Sequence, residues 1–527
     1  MVGRAMRVVL LQTAPWRPDM PALGLPYVAA ALRAAGHAAV IVDVNLPLYE
    51  AATRDERRWW EPANAWAWQR GSTLDAFLAR NAAVVDRVVS SALASAAPPL
   101  VGITMLATQK PFALWLAARV RVLRPDSRVV VGGPQCFAEY EPASIVADSS
   151  VDFVVQGEGE FAAVELCDWL DAGGLGEPPP AIWCHDGRRG ASRPLESDID
   201  RIAHPDFTGL PLSRYTDAGR LPIFTSRGCV RRCVFCIEQR IWERFRYRTA
   251  PNVFAEMKRG VELHGATKFE FNDSLFNGHM RVLGELCDLI LADGMRVSWG
   301  GQGIIRAEMS PRMLAKLNSA GCGFITYGFE SASQHVLDAM KKNVDMAVAS
   351  RVVRDTHAAG IGQKLNLMFG FPGEREEDFQ ATLDFLTENA AFIDEVNPSD
   401  AFTAIIPGTE LYERAASFGV TNLANAWFWE ADGGANDFAE RLDRFERLCR
   451  HVKALGIRST YRYERVANRH QVLGDFSLYK GRLDEARDHY RHHAREIGVA
   501  PEQLPNWAAA FAGGGGFDLS AVAAGTS

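Results

Sequence analysis

Short apolar runs alternate with helix-length segments twice along this chain, and this alternation is the feature that most constrains its fold. In the first series, the apolar runs at 8–11, 39–44 and 100–105 are separated by segments with helical spacing. Near-continuous apolar strands joined by helices are typical of a parallel sheet covered on both faces. We therefore expect an α/β N-terminal domain with a doubly wound, Rossmann-like sheet, which would bind ligands at the carboxyl ends of its strands.

A second alternating series begins at Ile223. Its six predicted strands lie near 223–226, 268–272, 297–300, 324–329, 364–369 and 402–406. Six βα units predict a partial (β/α)6 barrel, whose active site would lie at the carboxyl ends of the strands. The pattern at 473–490 resembles a single tetratricopeptide-like helix pair, which predicts a helical cap because a solenoid needs about three repeats.

These patterns divide the chain into four predicted parts. They are a Rossmann-like domain at 1–195, a linker at 196–219, the barrel at 220–426, and a C-terminal helical cap with a disordered tail at 427–527. An insertion between 45 and 98 carries a group of tryptophans: Trp59, Trp60, Trp66 and Trp68. These rings either pack the insertion onto the sheet or line a cavity, and their spacing leaves both interpretations open.

Composition excludes several classes of protein. The chain carries 57 Lys and Arg against 64 Asp and Glu, a net charge of −7, which argues against general binding to nucleic acid. No apolar run approaches the roughly 18–20 residues that span a bilayer. Nine cysteines in 527 residues are too few for a disulfide scaffold, so we expect a reducing cytoplasm and no membrane or nucleic-acid partner.

A tight group of cysteines follows the first barrel strand: Cys229, Cys233 and Cys236. Three thiolates on one loop can hold three irons of a cubane iron–sulfur cluster and leave the fourth iron open to another ligand. Nearby arginines are predicted to lower the pKa of these thiols: Arg227, Arg231 and Arg232. The alternative is a zinc knuckle, but zinc usually takes four ligands with paired C-x2-C spacing, and the sequence has no second pair.

With this cysteine spacing and the aromatic Phe235 before the third cysteine, the chain resembles the radical S-adenosylmethionine (SAM) superfamily. Further matches follow in order at 269–273, 299–306, 328–331 and 368–374. The resemblance implies a 4Fe-4S cluster on the three cysteines, SAM bound to the open iron, and one-electron cleavage of SAM to a 5′-deoxyadenosyl radical. It also implies an external electron donor similar to flavodoxin or ferredoxin.

The same resemblance suggests SAM contacts at the predicted strand ends. Carboxylates there would accept hydrogen bonds from the SAM ammonium or ribose, and an arginine would pair with its carboxylate. Backbone at 370–373 would approach the adenine closely, since glycine lacks a Cβ. The candidate contacts are Phe235, Asp273, Gln302, Arg306 and Glu330. Ordinary barrel packing is the alternative for each of them taken alone.

The N-terminal domain resembles the cobalamin-binding domain that precedes the barrel in one subclass of this superfamily. The matching segments are 21–27, 102–105, 132–134 and 157–160. The Asp-x-His-x-x-Gly motif that supplies a lower cobalt ligand in other cobalamin proteins is absent, because no histidine lies two residues beyond Asp43. The resemblance implies cobalamin contacts at Thr104, Met105, Gly132, Gly133, Pro134, Gly157 and Glu158.

Two such cofactors imply a C-methyltransferase that acts on an unactivated carbon of a small-molecule or peptide natural product. The alternatives are a cobalamin-dependent cyclase or rearrangement enzyme without net methyl transfer, and a cobalamin- or SAM-binding regulator without turnover. The substrate would bind between the two domains. Candidate lining residues are Trp299, Gln302, Asn366 and Tyr327, for which barrel packing is the competing interpretation. No catalytic residue is assigned.

Overall fold

The computed structural model describes residues 5–61, 67–68, 72–95, 99–137, 142–399, 402–423, 426–460, 469–498 and 500–504. Trp66 and the predicted disordered tail beyond residue 504 lie outside this part of the chain. Within the described ranges, no helix is both long and apolar enough to cross a bilayer.

A six-stranded sheet forms the centre of the N-terminal domain. In chain order the elements are β1 (Arg7–Gln12), α1 (Gly24–Ala34), β2 (Ala38–Asp43), α2 (Asn45–Ala51), α3 (Ser72–Leu93), β3 (Leu100–Thr104), α4 (Lys110–Leu123), β4 (Arg128–Gly132), α5 (Pro142–Val146), β5 (Phe153–Val155), α6 (Gly159–Asp171) and β6 (Ile182–Cys184). The strand order is β2-β1-β3-β4-β5-β6, parallel except for β6. The predicted doubly wound fold is confirmed, and its order reverses between β1 and β3, where such sheets form a ligand crevice.

Apolar packing covers both faces of this sheet. Residues of α3 and α4 pack with one set of strand side chains, and residues of α1 and α6 pack with the other. The tryptophans of the insertion belong to the first cluster: Trp60 and Trp68 are buried, and Trp59 packs against them. The packing interpretation is therefore confirmed for these three rings.

The second series of elements forms a partial barrel. Its elements are β7 (Arg220–Ile223), β8 (Ser226–Arg227), α7 (Glu238–Trp242), β9 (Arg246–Tyr247), α8 (Ala250–His264), β10 (Lys268–Phe271), α9 (Met280–Asp293), β11 (Ser298–Gly303), α10 (Pro311–Ser319), β12 (Cys322–Glu330), α11 (Gln334–Ala339), α12 (Met346–Ala358), β13 (Gly362–Leu367), α13 (Glu376–Asn389) and β14 (Glu395–Pro398). The strands β7, β10, β11, β12, β13 and β14 are parallel and adjacent in that order. The prediction of six βα units is confirmed.

The sixth barrel strand differs from the prediction. It is β14, and the apolar run at 402–406 is a loop. Phe402 has a φ of +51°, a left-handed conformation that a strand does not accommodate. The N–H of Ile405 donates to the Ala426 carbonyl (2.9 Å), and the Ile405 side chain is buried. This run is apolar because it packs in the core, which a short sequence pattern does not distinguish from strand pairing.

The C-terminal region is mainly helical, as predicted. Its elements are α14 (Glu410–Glu413), β15 (Val420–Asn422), β16 (Glu430–Ala431), α15 (Phe438–Ala454), β17 (Arg458–Ser459), α16 (Arg469–Tyr479) and α17 (Leu483–Ile497). The short strand β17 pairs with β14, so this region also adds a seventh strand to the barrel sheet. α16 and α17 form the single helix pair that the sequence indicates: at Gly474 a Cβ would lie 2.6 Å from the Tyr490 ring.

Candidate functional site

Side chains alternate along each barrel strand between the helix side and the barrel interior. This alternation decides which residues can line the interior. In β12, Ile325, Tyr327 and Phe329 face the helices and are buried, whereas Gly328 faces inward and is half-buried. In β11 the same alternation buries Trp299, whose indole N–H donates to the Ala320 carbonyl (2.7 Å). The lining prediction is therefore wrong for Trp299 and Tyr327. Gln302 is exposed, and Asn366 is half-buried.

The three clustered cysteines lie on the loop between β8 and α7, at the carboxyl end of the first barrel strand. Cys233 is buried, and Cys229 and Cys236 are partly exposed. The backbone N–H of Arg231 donates to Cys229 Sγ (3.3 Å), and the N–H of Cys236 donates to the Cys233 carbonyl (3.1 Å). The loop folds back on itself so that all three thiols lie at the mouth of the barrel.

The spacing of the three thiols separates a cluster from a single zinc ion. The three Sγ atoms do not form a set within 4.8 Å of one another. Two thiolates on one Zn²⁺, each at about 2.3 Å, are at most about 4.6 Å apart. As placed, the three thiols do not close on a single Zn²⁺ ion, and the iron–sulfur cluster stays a prediction.

Apolar contacts anchor this loop to the barrel. Val234 is fully buried in a cluster with Met340 and Phe371, and its N–H donates to the Met340 carbonyl (3.1 Å). Phe235 packs against the same cluster, with Lys342 Nζ 6.0 Å from its ring centre. Phe235 thus helps to fix the loop, and its contact with a cofactor stays a prediction.

The cations around the thiols differ from those expected. Burial raises the pKa of all three thiols, to about 12 for Cys236. Lys342 opposes this effect at Cys229 and Cys233, and it is joined there by Arg231. Arg231 therefore lowers the pKa of Cys229 and Cys233 as expected, but burial is the larger effect and the pKa of each thiol is raised.

Sequence reasoning missed Lys342, which is far from the cysteines along the chain. Its side chain is 7% exposed, and its Nζ lies 2.7 Å from Glu330 Oε1. Glu330 ends β12 with a φ of +68°, and at Gly328 a Cβ would lie 3.0 Å from Lys342 Nζ. Gly328 belongs to the sequence motif at 328–331. The lack of a Cβ at this position is the sequence signal that another side chain lies there.

Asp273 lies just after β10 and is buried. It accepts hydrogen bonds from the Thr225 N–H (3.0 Å), the Thr225 hydroxyl (2.7 Å) and the Ser226 hydroxyl (2.6 Å). Burial raises the pKa of its carboxyl to about 6. These contacts position the segment that leads into the cysteine loop, and the proposed contact with SAM stays a prediction.

Arg306 follows β11 and lines a cavity of about 440 Å³ beside the cysteine loop. Its guanidinium donates to the carbonyls of Asn277 (2.9 Å) and Gly278 (3.1 Å) and pairs with Glu308. Val230 and Arg231 of the cysteine loop line the same cavity. The structure therefore brings Arg306 close to the loop, at the same end of the barrel as Asp273 and Glu330.

The two glycines predicted to approach adenine, Gly370 and Gly373, have different surroundings. Gly370 has a φ of +71°, and a Cβ there would lie 2.3 Å from Arg441 Cγ. Its missing Cβ makes room for Arg441, a buried guanidinium stacked 3.8 Å from the Trp429 ring centre. Gly373 also has a positive φ (+84°), but no atom lies within 4 Å of the place of its Cβ. Only the second position remains open to a ligand.

The residues predicted to contact cobalamin lie on the loops at the carboxyl edge of the N-terminal sheet. The Met105 side chain is buried, and its N–H donates to the Gly132 carbonyl (2.8 Å). Gly133 has a φ of +111°, and a Cβ there would lie 2.8 Å from the Met105 carbonyl oxygen. These residues hold two loops together. Pro134 is the exposed residue of this group, Met105 is buried, and the other predicted contacts are half-buried.

Buried ion pairs join this edge to the cysteine loop. Arg227, two residues before Cys229, pairs with Glu158 and Glu160 in the turn after β5, and all three side chains are at most 11% exposed. Arg246 also binds Glu158 (2.9 Å). Beside them the Phe137 and Trp242 rings are 5.5 Å apart. The Glu158 carboxylate is therefore held by arginines, and the carboxyl edge of the sheet is tied to the segment that leads into the cysteine loop.

The match to a known family agrees with this geometry. Residues 223–386, which hold the cysteine loop and most of the barrel, match the family model of the radical SAM superfamily. The chain contains a radical SAM domain. Two solved structures share the fold of the radical SAM domain together with most of the chain around it. TsrM from Kitasatospora setae, solved with cobalamin and a 4Fe-4S cluster, superposes with a TM-score of 0.57 at 19% identity, over 84% of this chain and 82% of that chain.

The second solved structure is OxsB with aqua-cobalamin and SAM bound, with a TM-score of 0.62 at 14% identity over 94% of this chain and 71% of that chain. Among curated proteins, cytidylyl-2-hydroxyethylphosphonate methyltransferase of Streptomyces wedmorensis is 24% identical over 84% of this chain and 90% of its own length. Anaerobic magnesium-protoporphyrin IX monomethyl ester cyclase of Rubrivivax gelatinosus is 26% identical over 54% of this chain and 53% of its own length.

Proposed function

We propose that this chain is a cobalamin-dependent radical SAM enzyme that acts as a C-methyltransferase on a small-molecule or peptide substrate. The observation that carries the proposal is the pairing of Arg227 with Glu158 and Glu160. It fixes the cysteine loop opposite the carboxyl edge of the N-terminal sheet, where doubly wound folds bind ligands. A substrate bound between the domains would meet both cofactor sites.

The residues of this chain have distinct roles in the proposal. Cys229, Cys233 and Cys236 hold the cluster, and Lys342 places a buried positive charge beside it. Arg306 and Glu330, at neighbouring strand ends, are the proposed SAM contacts. When bound, SAM on the cluster supplies a 5′-deoxyadenosyl radical for hydrogen abstraction, and methylcobalamin supplies the methyl group.

Two observations support methyl transfer over cyclisation. The methyltransferase from Streptomyces wedmorensis aligns along 90% of its length, whereas the cyclase aligns along 53% of its own. The TsrM structure, itself a radical SAM methyltransferase, shares the fold of both domains. The proposal includes an external one-electron donor similar to flavodoxin or ferredoxin, and a reducing cytoplasm, in keeping with nine unpaired cysteines.

The first test is anaerobic reconstitution with iron, sulfide and hydroxocobalamin, followed by desalting and absorption spectroscopy. The matched control is the triple variant Cys229→Ala, Cys233→Ala, Cys236→Ala. We expect corrin bands near one equivalent in both proteins and the cluster absorption in the wild type alone. A cluster without retained corrin would contradict the cobalamin part of the proposal.

A second test separates the candidate reactions without the substrate. Under reducing conditions, with SAM carrying an isotopically labelled methyl group, we expect the label on the bound cobalamin. Cleavage of SAM to 5′-deoxyadenosine without labelled methylcobalamin would favour a cyclase or rearrangement enzyme. Absence of both products from a fully reconstituted protein would favour a regulator.

A further inference from the structure

Three metal-ligating side chains meet on the C-terminal helix pair, far from the cysteine loop in the chain. His470 lies in α16, and His492 and Glu496 lie one turn apart on one face of α17. His470, His492 and Glu496 each bring one ligand atom within 4.8 Å of the others. His489 Nδ1 lies 3.0 Å from His470 Nδ1, beside this set.

The geometry of the imidazoles suits metal binding, and ring nitrogens of neutral histidine are common ligands of metal ions. The His470 and His492 ring centres are 3.9 Å apart, and Glu496 Oε1 lies 3.4 Å from His492 Nε2. A carboxylate thus joins two imidazoles in one set of ligand atoms.

We propose that His470, His492 and Glu496 bind one divalent transition-metal ion, with Zn²⁺ as the expected occupant and water as its fourth ligand, and that this ion clamps α16 to α17. Imidazole and carboxylate ligands suit Zn²⁺, whose bonds of about 2.0–2.2 Å place its ligands within about 4.4 Å of one another. Metal sites of this kind are built between facing helices, with histidine and glutamate on successive turns.

The metal ion would hold α17 against α16, and α16 in turn packs against the rest of the chain. The Phe476 ring of α16 lies 5.6 Å from the Phe428 ring and 5.5 Å from the Phe438 ring. The Tyr479 hydroxyl donates to Asn422 (3.1 Å). A metal ion that joins α17 to α16 therefore stabilises a helix that already packs on the barrel side of the molecule.

The test uses the full chain without an affinity tag, because a polyhistidine tag would bind the same metals. The cysteine loop would also compete, so the parent protein carries Cys229→Ala, Cys233→Ala and Cys236→Ala. Zn²⁺ is titrated in competition with a chromophoric chelator, and the melting temperature is measured with and without Zn²⁺. We expect one Zn²⁺ per chain and a higher melting temperature in its presence.

Two single variants and one control decide the assignment. His492→Ala and Glu496→Ala change exposed side chains, so the fold is retained, and each is expected to weaken Zn²⁺ binding by about tenfold or more and to remove the thermal shift. His357→Ala, an exposed histidine of α12, is expected to bind Zn²⁺ like the parent. No binding by the parent, or equal binding by all variants, would overturn the site. Binding without a thermal shift would overturn the clamp.

Discussion

Lys342 is a buried cation beside the cysteine loop, and its charge acts on Cys233 and Cys236. A reduced cluster carries one more negative charge than an oxidised one, so a nearby cation stabilises the reduced form. We therefore expect Lys342→Met, combined with Glu330→Gln to avoid a buried unpaired carboxylate, to lower the reduction potential of the reconstituted cluster by about tens of millivolts. A redox titration followed by electron paramagnetic resonance measures the shift.

The neighbouring Lys341 provides the control for this prediction. Its side chain is half exposed and pairs with Glu410 (2.7 Å). Lys341→Met combined with Glu410→Gln makes the same change of charges in solvent, where water and salt screen it, and is expected to leave the potential near that of the wild type. Equal potentials in both variants would show that Lys342 does not act on the cluster.

Gly370 and Gly373 allow the cost of an added Cβ to be compared at two positions of similar backbone conformation. Both have a positive φ, but only at Gly370 would a Cβ meet another side chain, Arg441. Backbone strain alone costs about 1–2 kcal/mol, so we expect that loss for Gly373→Ala. Gly370→Ala adds a steric clash and is expected to cost about 2–4 kcal/mol in total. Urea unfolding of both variants measures the difference, and equal losses would contradict the close packing of Arg441.

At the scale of elements, Asp378 stabilises the first turn of α13. It accepts hydrogen bonds from the Ser333 hydroxyl (2.6 Å), the Arg375 N–H (2.9 Å) and His335 (3.1 Å). Burial alone would raise the pKa of this carboxyl, but these hydrogen bonds outweigh it and lower the pKa to about 2. The folded state therefore favours the ionised form, which stabilises the protein above the pKa of the unfolded chain and ceases to do so as pH falls towards 2.

From this we expect Asp378→Asn to lower the free energy of unfolding by about 1–2 kcal/mol at pH 7. The difference in free energy of unfolding between variant and wild type should become smaller as pH falls from about 5 towards 2. Urea unfolding of the cluster-free chain across this range checks both points, with Asp384→Asn, an exposed carboxylate on the same helix, as the control. A gap that is constant with pH would rule out the carboxylate as its source.

Most elements of both sheets were predictable, because parallel strands are buried on both faces and leave runs such as Val129 to Val131 in the sequence. Phe402 and Ile405 show where this reasoning fails. Their burial comes from packing against distant segments, and a five-residue window contains no information about those partners. The two-residue strand β17 is missed for a similar reason, since only its pairing with β14 makes it a strand.

The part of the candidate site that is local in sequence was predictable, and the part that the fold assembles was not. Cys229, Cys233 and Cys236 lie within eight residues, so their spacing alone indicates a shared function. Lys342 and the partners of Arg227 come from distant parts of the chain. Only the fold brings them to the cysteine loop, and the residue spacing in a single sequence holds no signal of that pairing. Glu158 was expected to contact a cofactor, whereas its carboxylate joins the two domains.

At the scale of the whole molecule, the buried pairs of Arg227 fix one domain against the other. Arg227→Met leaves Glu160 buried without this guanidinium, and removing one member of a buried pair typically costs about 3–5 kcal/mol. We expect a loss of that size in urea unfolding and faster proteolysis of the linker. Adding Glu158→Gln and Glu160→Gln should recover part of the loss.

Arg214 provides the contrast, because its pair with Glu50 is nearly half exposed. Exposed pairs contribute little, so Arg214→Met is expected to cost less than about 1 kcal/mol. If Arg227→Met were tolerated as well as Arg214→Met, the buried pairs would not hold the domains together, and the facing arrangement of the two candidate cofactor sites would lose its main support.

We propose that the cysteine loop and the carboxyl edge of the N-terminal sheet hold two cofactors that face each other. The most direct measurement is electron paramagnetic resonance of the reconstituted protein with cob(II)alamin and a reduced cluster present together. We predict signals that are broadened or split by magnetic interaction between the two centres, and an unperturbed cob(II)alamin signal in the triple cysteine variant. Two independent signals from the doubly loaded wild type would contradict the account.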